Sequence, residues 1–144
     1  MTSSLFKTFK TDSKLETEGV TFEIADTRVT MSKAGVGNPA YATAMTKRTQ
    51  AHRRQISRGE LSPEQELNIL RQVYADSIIL NWEIRNGDGW RQGIPAEDGS
   101  IRPFNKDNVV AVLTELPELF LELQNLASNF QNYRAETLEA DSGN

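Results

Sequence analysis

Few side chains in this 144-residue chain are spaced for chemistry. Asn86-Gly87-Asp88-Gly89-Trp90-Arg91 opens like a calcium-binding loop, with side-chain oxygens at its first and third positions. Trp90 then stands where another oxygen is needed, and Arg91 where such loops demand glycine. Tight turns explain the glycines and the aspartate better. Lys47-Arg48-Thr49-Gln50-Ala51-His52-Arg53-Arg54-Gln55-Ile56-Ser57-Arg58 is the strongly basic run. On a helix it could grip phosphates, but no aromatic residues interleave to stack on bases. His52 is the only histidine, so it has no companions for a triad or a metal site. Glu115, Glu118 and Glu122 recur at helical spacing, as a solvated face does. Without cysteine there is no disulfide, zinc-thiolate centre or thiol nucleophile.

These residues assemble no catalytic set, no cofactor site and no metal site, so an enzyme is not expected. The chain is expected to work by presenting surfaces. The candidate partner contacts are Trp90, Arg91 and Phe104 around the central Gly-rich loop, with Arg53 and Arg54 in the basic run. Trp90 is either an exposed aromatic anchor or a lid folded back over Trp82 or Phe104.

The elements that would position these residues are read from periodicity. Residues 1–19 are polar, lack a period and read as a flexible arm, on which Leu5, Phe6 and Phe9 could dock somewhere. Val20, Phe22 and Ile24, then Val29 and Met31, alternate with polar residues and predict a hairpin over 20–32. Asn38-Pro39 starts a thinly apolar helix over about 39–58. Ser62-Pro63-Glu64-Gln65 starts a second, and the stripe Leu67, Leu70, Tyr74, Ile78, Trp82 carries it to about residue 84. Asn105 caps a helix over 106–116, with Phe104 packing on Val109. Pro117 restarts the helix over 117–134, with a seam of Leu119, Leu123, Leu126, Phe130 and Tyr133. Residues 136–144 read as an acidic tail. The expected fold is mainly α: one domain, 20–135, of about four helices with a small N-terminal β-hairpin.

Composition fits one soluble domain, 38% hydrophobic and 25% charged. No apolar run suits a membrane helix, and no secretory leader is visible, so a cytoplasmic protein without membrane partners is expected. The net charge of −4 is unevenly spread: residues 1–60 carry 10 Lys/Arg against 6 Asp/Glu, and residues 61–144 carry 6 against 14. Opposed charges of this kind suit head-to-tail stacking of copies into a homo-oligomer.

Several segments together resemble the tail assembly chaperones of long-tailed bacteriophages. They are Ala75-Asp76-Ser77-Ile78-Ile79-Leu80-Asn81-Trp82, Asp98-Gly99-Ser100-Ile101-Arg102-Pro103-Phe104-Asn105, Asn108 and Leu116-Pro117-Glu118-Leu119. Gly37-Asn38-Pro39-Ala40-Tyr41, His52-Arg53-Arg54 and Tyr133-Arg134-Ala135-Glu136-Thr137-Leu138-Glu139-Ala140 extend the likeness over roughly residues 37–140. The stretch from Trp82 to Phe104 is longer than that family's usual turn and adds Trp90. The resemblance implies a non-enzymatic protein of the infected host bacterial cytoplasm, absent from the mature virion. It would coat the tape measure protein while the major tail tube protein polymerises around it. The alternatives are a tail or connector component retained in the virion and, less favoured, a small nucleic-acid-binding protein.

Overall fold

The computed structural model describes residues 3–134. The fold is α+β, not mainly α. Seven α-helices among the described residues pack with a four-stranded antiparallel sheet. The strands are β1 (Val20–Ile24), β2 (Thr27–Met31), β3 (Ile79–Asn86) and β4 (Gly89–Gln92), paired in that order. A two-residue turn joins β1 to β2, where Ala25 takes a φ of 54°. Another joins β3 to β4 between the paired residues Asn86 and Gly89, with Gly87 at φ 61°. Glycine suits the first of the two turn residues, Gly87-Asp88, because that position needs positive φ. A short ribbon of β5 (Ile94–Pro95) and β6 (Ile101–Arg102) follows.

The expected helix over 63–84 is the main correction. Helix α5 spans Pro63–Val73, widens into a π-turn at Tyr74–Ile78 and gives way to β3. The stripe ending Ile78, Trp82 continues the helical spacing, yet Trp82 and Ile84 also alternate as strand residues do. Tertiary contacts decide between them. The Ser77 hydroxyl donates back to the Val73 carbonyl at 2.7 Å, a bond that loosens a helix. Ser32, from the end of β2, donates its hydroxyl to the Ser77 carbonyl (2.7 Å) and its N–H to the Ile78 carbonyl (2.9 Å). The freed carbonyls are thus satisfied and the chain can turn into the sheet. Leu80 sits at the bulge where the β2–β3 register shifts.

The other helices also depart from expectation. The predicted helix over 39–58 is two, α3 (Pro39–Gln50) and α4 (Arg53–Ser57), broken at Ala51-His52. Asn38 caps α3, and the Ser62–Gln65 capping box opens α5. Helices α6 (Lys106–Glu115) and α7 (Pro117–Ser128) are separated by Leu116, which leaves helical geometry ahead of the proline. Helix α7 ends short of residue 134, and Asn129 caps a separate 3₁₀ turn, Phe130–Tyr133. One core joins Val29, Met31, Ile79 and Trp82 of the sheet to Val109, Val112 and Leu113 of α6 and to Phe120, Leu123 and Ala127 of α7. The α7 face is therefore rotated from the expected seam, with Phe120 and Ala127 fully inside and Leu119 and Leu126 partly covered.

Residues 4–18 carry helical structure. Ser3 and Asp12 cap two short helices, α1 (Ser4–Phe9) and α2 (Ser13–Glu18). The Asp12 N–H donates to the Tyr133 carbonyl at 2.8 Å, and Phe9 stacks on Phe130. Glu16 is buried, accepting from the Thr11 hydroxyl at 2.7 Å and facing Lys33 at 3.5 Å. Gly37 leaves room for that carboxylate: a Cβ at Gly37 would run into Glu16 Oε2. The expected acidic tail lies outside the described residues.

An ion-pair cluster fastens α3 to the π-turn. Arg48 grips Asp76 through two bonds, 2.6 and 2.8 Å, and Lys106 stands 3.4 Å from the same carboxylate. The Arg48 hydrogen bonds hold the Asp76 carboxyl below its ordinary value, outweighing the desolvation that raises it, and Lys106 adds to the effect. A carboxylate depressed in the folded state stabilises fully above its unfolded pKa of 3.8 and loses that contribution as pH falls through the folded value. Thermal melts across the acid range are expected to show a shallower acid decline in Asp76→Asn than in the parent. Parallel declines would rule the cluster out as a source of acid sensitivity.

Candidate interaction surfaces

The sheet turns two different faces. Val29 pairs with Trp82 and Thr27 with Ile84 on the face covered by the helices. The opposite face is a polar ladder across all four strands. Thr21 and Thr30 share a hydrogen bond of 2.7 Å, Gln92 donates to Asn81 at 2.7 Å, Arg28 pairs with Glu83 at 2.7 Å and Arg85 with Glu23 at 3.1 Å. Trp90 belongs to this face, opposite Arg85 in the register. Its ring meets two guanidinium groups, Arg28 at 4.5 Å and Arg85 at 4.4 Å from the centroid. The indole is half-buried, and each cation is held in place by its own carboxylate. Trp82 looks the other way and is fully buried, so Trp90 is no lid over it. Arg91, the next residue, is exposed and takes the alternate side of β4, opposite Ile84.

Phe104 is partly buried against the main core. Arg53 and Arg54 are exposed on α4. The five candidate contacts therefore do not form one patch: two lie on α4, two on opposite sides of β4, and one against the core. Sequence reading missed Arg28, which cannot be connected to Trp90 until both hairpins and the β2–β3 pairing are known.

Two of the titratable groups that looked suggestive have partners. His52 Nδ1 lies 3.0 Å from Gln55 Oε1, across the start of α4. Arg102 pairs with Glu115 at 3.0 Å and holds its carboxyl below the usual value, so the row Glu115, Glu118, Glu122 is not three equivalent acids. Burial pushes the Tyr74 and Tyr133 hydroxyls far above their ordinary range, and Tyr133 donates to the Met31 carbonyl at 3.1 Å, a structural bond. No group of three or more His, Cys, Asp or Glu among the described residues could hold a metal ion. None of the helices among the described residues is long and apolar enough to cross a membrane.

What remains is exposed apolar surface. Leu5, Phe6 and Phe9 on α1 are each about 60% exposed, and with Lys10 and Thr11 they line an open groove of about 620 Å³. Three large apolar side chains on one short helix are more than a soluble surface needs. The remaining exposed large apolar groups are scattered over α4, α7, Leu116, the β3 bulge and Val36.

Residues 36–144 match the family of YdaY prophage proteins. The chain belongs to that family. It is therefore a phage-derived protein. The matched stretch holds α3 to α7 and both β3–β4 and β5–β6, while α1, α2 and the first hairpin precede it. Searches of curated proteins and of solved structures found nothing similar to it.

Proposed function

We propose that this YdaY-family prophage protein is a non-enzymatic tail assembly chaperone. It binds the tape measure protein in the host bacterial cytoplasm and holds it extended while the major tail tube protein polymerises around it. The observation that carries this reading is the apolar face of α1. Leu5, Phe6 and Phe9 offer a groove that an amphipathic helix can enter with side chains at helical spacing. Many such contacts along one long helical ligand give avidity without any single tight site. The prophage family supports the setting, and the motif order resembling tail assembly chaperones supports the role.

Co-expression of the full chain with the tape measure protein of the same prophage tests it. A soluble complex is expected, and Leu5→Glu/Phe6→Glu should abolish co-purification without moving the melting transition, because both residues are exposed. A tape measure protein that stays equally insoluble with and without the chain would defeat the proposal. Finding the chain in purified virions would instead favour a retained tail or connector component.

A further inference from the structure

Two surfaces away from α1 complement each other. On α3 and α4, Lys47, Arg53, Arg54 and Arg58 are exposed and make no ion pair among the described residues, unlike their neighbour Arg48. Ile56, 44% exposed, lies on the same segment and lines with Thr49 and Arg53 an open groove of about 420 Å³. On α7, Glu118, Leu121, Glu122 and Asn125 fall at i, i+3, i+4 and i+7, one helical stripe. All four are exposed, Leu121 by 52%, and Leu116 at the helix entrance by 49%. Neither glutamate makes an ion pair among the described residues, although their neighbour Glu115 does. A groove holding Ile56 and Arg53, on a segment rich in cations unpaired among the described residues, thus spans α3 and α4, and an apolar ridge with an anionic rim lies on α7.

We propose that the α7 stripe of one copy docks into the α3–α4 groove of the next. The occupant is a second copy of this chain, identified by matched charge sign and by apolar centres on both sides. Because the two faces differ, the contact is heterologous, and it generates rings or open spirals rather than closed two-fold pairs. The rim charges would steer encounter and make association sensitive to salt. This inference does not depend on what α1 binds.

Sedimentation velocity of the full chain in low and high salt is the test. The parent should form species that grow with concentration and shrink with salt. Arg53→Glu/Arg54→Glu and Glu118→Lys/Glu122→Lys should each weaken association about tenfold or more, as opposing like charges do. Mixing the two variants should restore it, since each retains the face that the other has lost. Leu121→Lys gives an independent disruption at an exposed site, and circular dichroism checks that every variant is folded. A parent that stays monomeric at high concentration and low salt overturns the proposal, as does a double variant that assembles like the parent. A monomeric parent that binds duplex DNA through Arg53 and Arg54 would overturn it in favour of nucleic-acid binding.

Discussion

Trp82→Ala is expected to lower the free energy of unfolding by ~3–5 kcal/mol, the range for emptying a large aromatic site in a packed core. Trp82 is fully buried on β3, across from Val29, where the sheet meets α6 and α7. A cavity there would border both layers, and neither can close it without breaking the strand register that fixes the other. Trp82→Phe should cost less. The indole N–H meets no protein acceptor, so the smaller ring gives up buried area without giving up a hydrogen bond. Urea unfolding of the two variants measures both effects. An alanine variant within ~0.5 kcal/mol of the parent, the range of ordinary surface substitutions, would contradict the central place given to this side chain.

Leu123→Ala should cost ~2–5 kcal/mol. Leu123 has no exposure and lies on α7 between Phe120 and Ala127, which share its inward face. The neighbouring Leu121 is a built-in control, because it points outward on the same helix. Leu121→Ala should leave the melting transition nearly where it is. Equal sensitivity at the two positions would mean that α7 is rotated from the orientation described, and the acidic stripe would then be part of the core.

Local chemistry made some of the fold legible. The alternation from Val20 to Met31, the caps at Asn38, Ser62 and Asn105, and the interruption at Pro117 are signals carried within a few residues. The second half of the sheet is a different kind of object. Ile78 and Trp82 continue a helical stripe, and the switch to strand after Ile78 depends on Ser32, which donates to the last carbonyls of the π-turn from far away in sequence. A helix that finds tertiary partners for its last carbonyls can stop without glycine or proline. The Gly87-Asp88 pair was nonetheless a two-residue hairpin signature, and reading it as such would have placed β3 and β4. For the candidate surfaces, exposure of Arg53 and Arg54 suits a thinly apolar helix. The contact of Trp90 with both Arg28 and Arg85 needed three strands in register, which no local pattern contains.

The sheet order carries a consequence for synthesis. Each outer pair of strands is joined by a two-residue turn, but β2 and β3 are separated by the whole segment 32–78. A ribosome making ~5–20 residues per second therefore completes the first hairpin seconds before its neighbour exists. Throughout that interval the inner edge of β2, with Val29 and Met31, offers unpaired backbone groups beside an apolar face, the pattern that invites pairing between nascent chains. The same wait appears as an entropy cost in refolding, since the central pairing must close the longest loop in the sheet before it gains any contact. A chain cut anywhere before Ile79 keeps that edge open permanently.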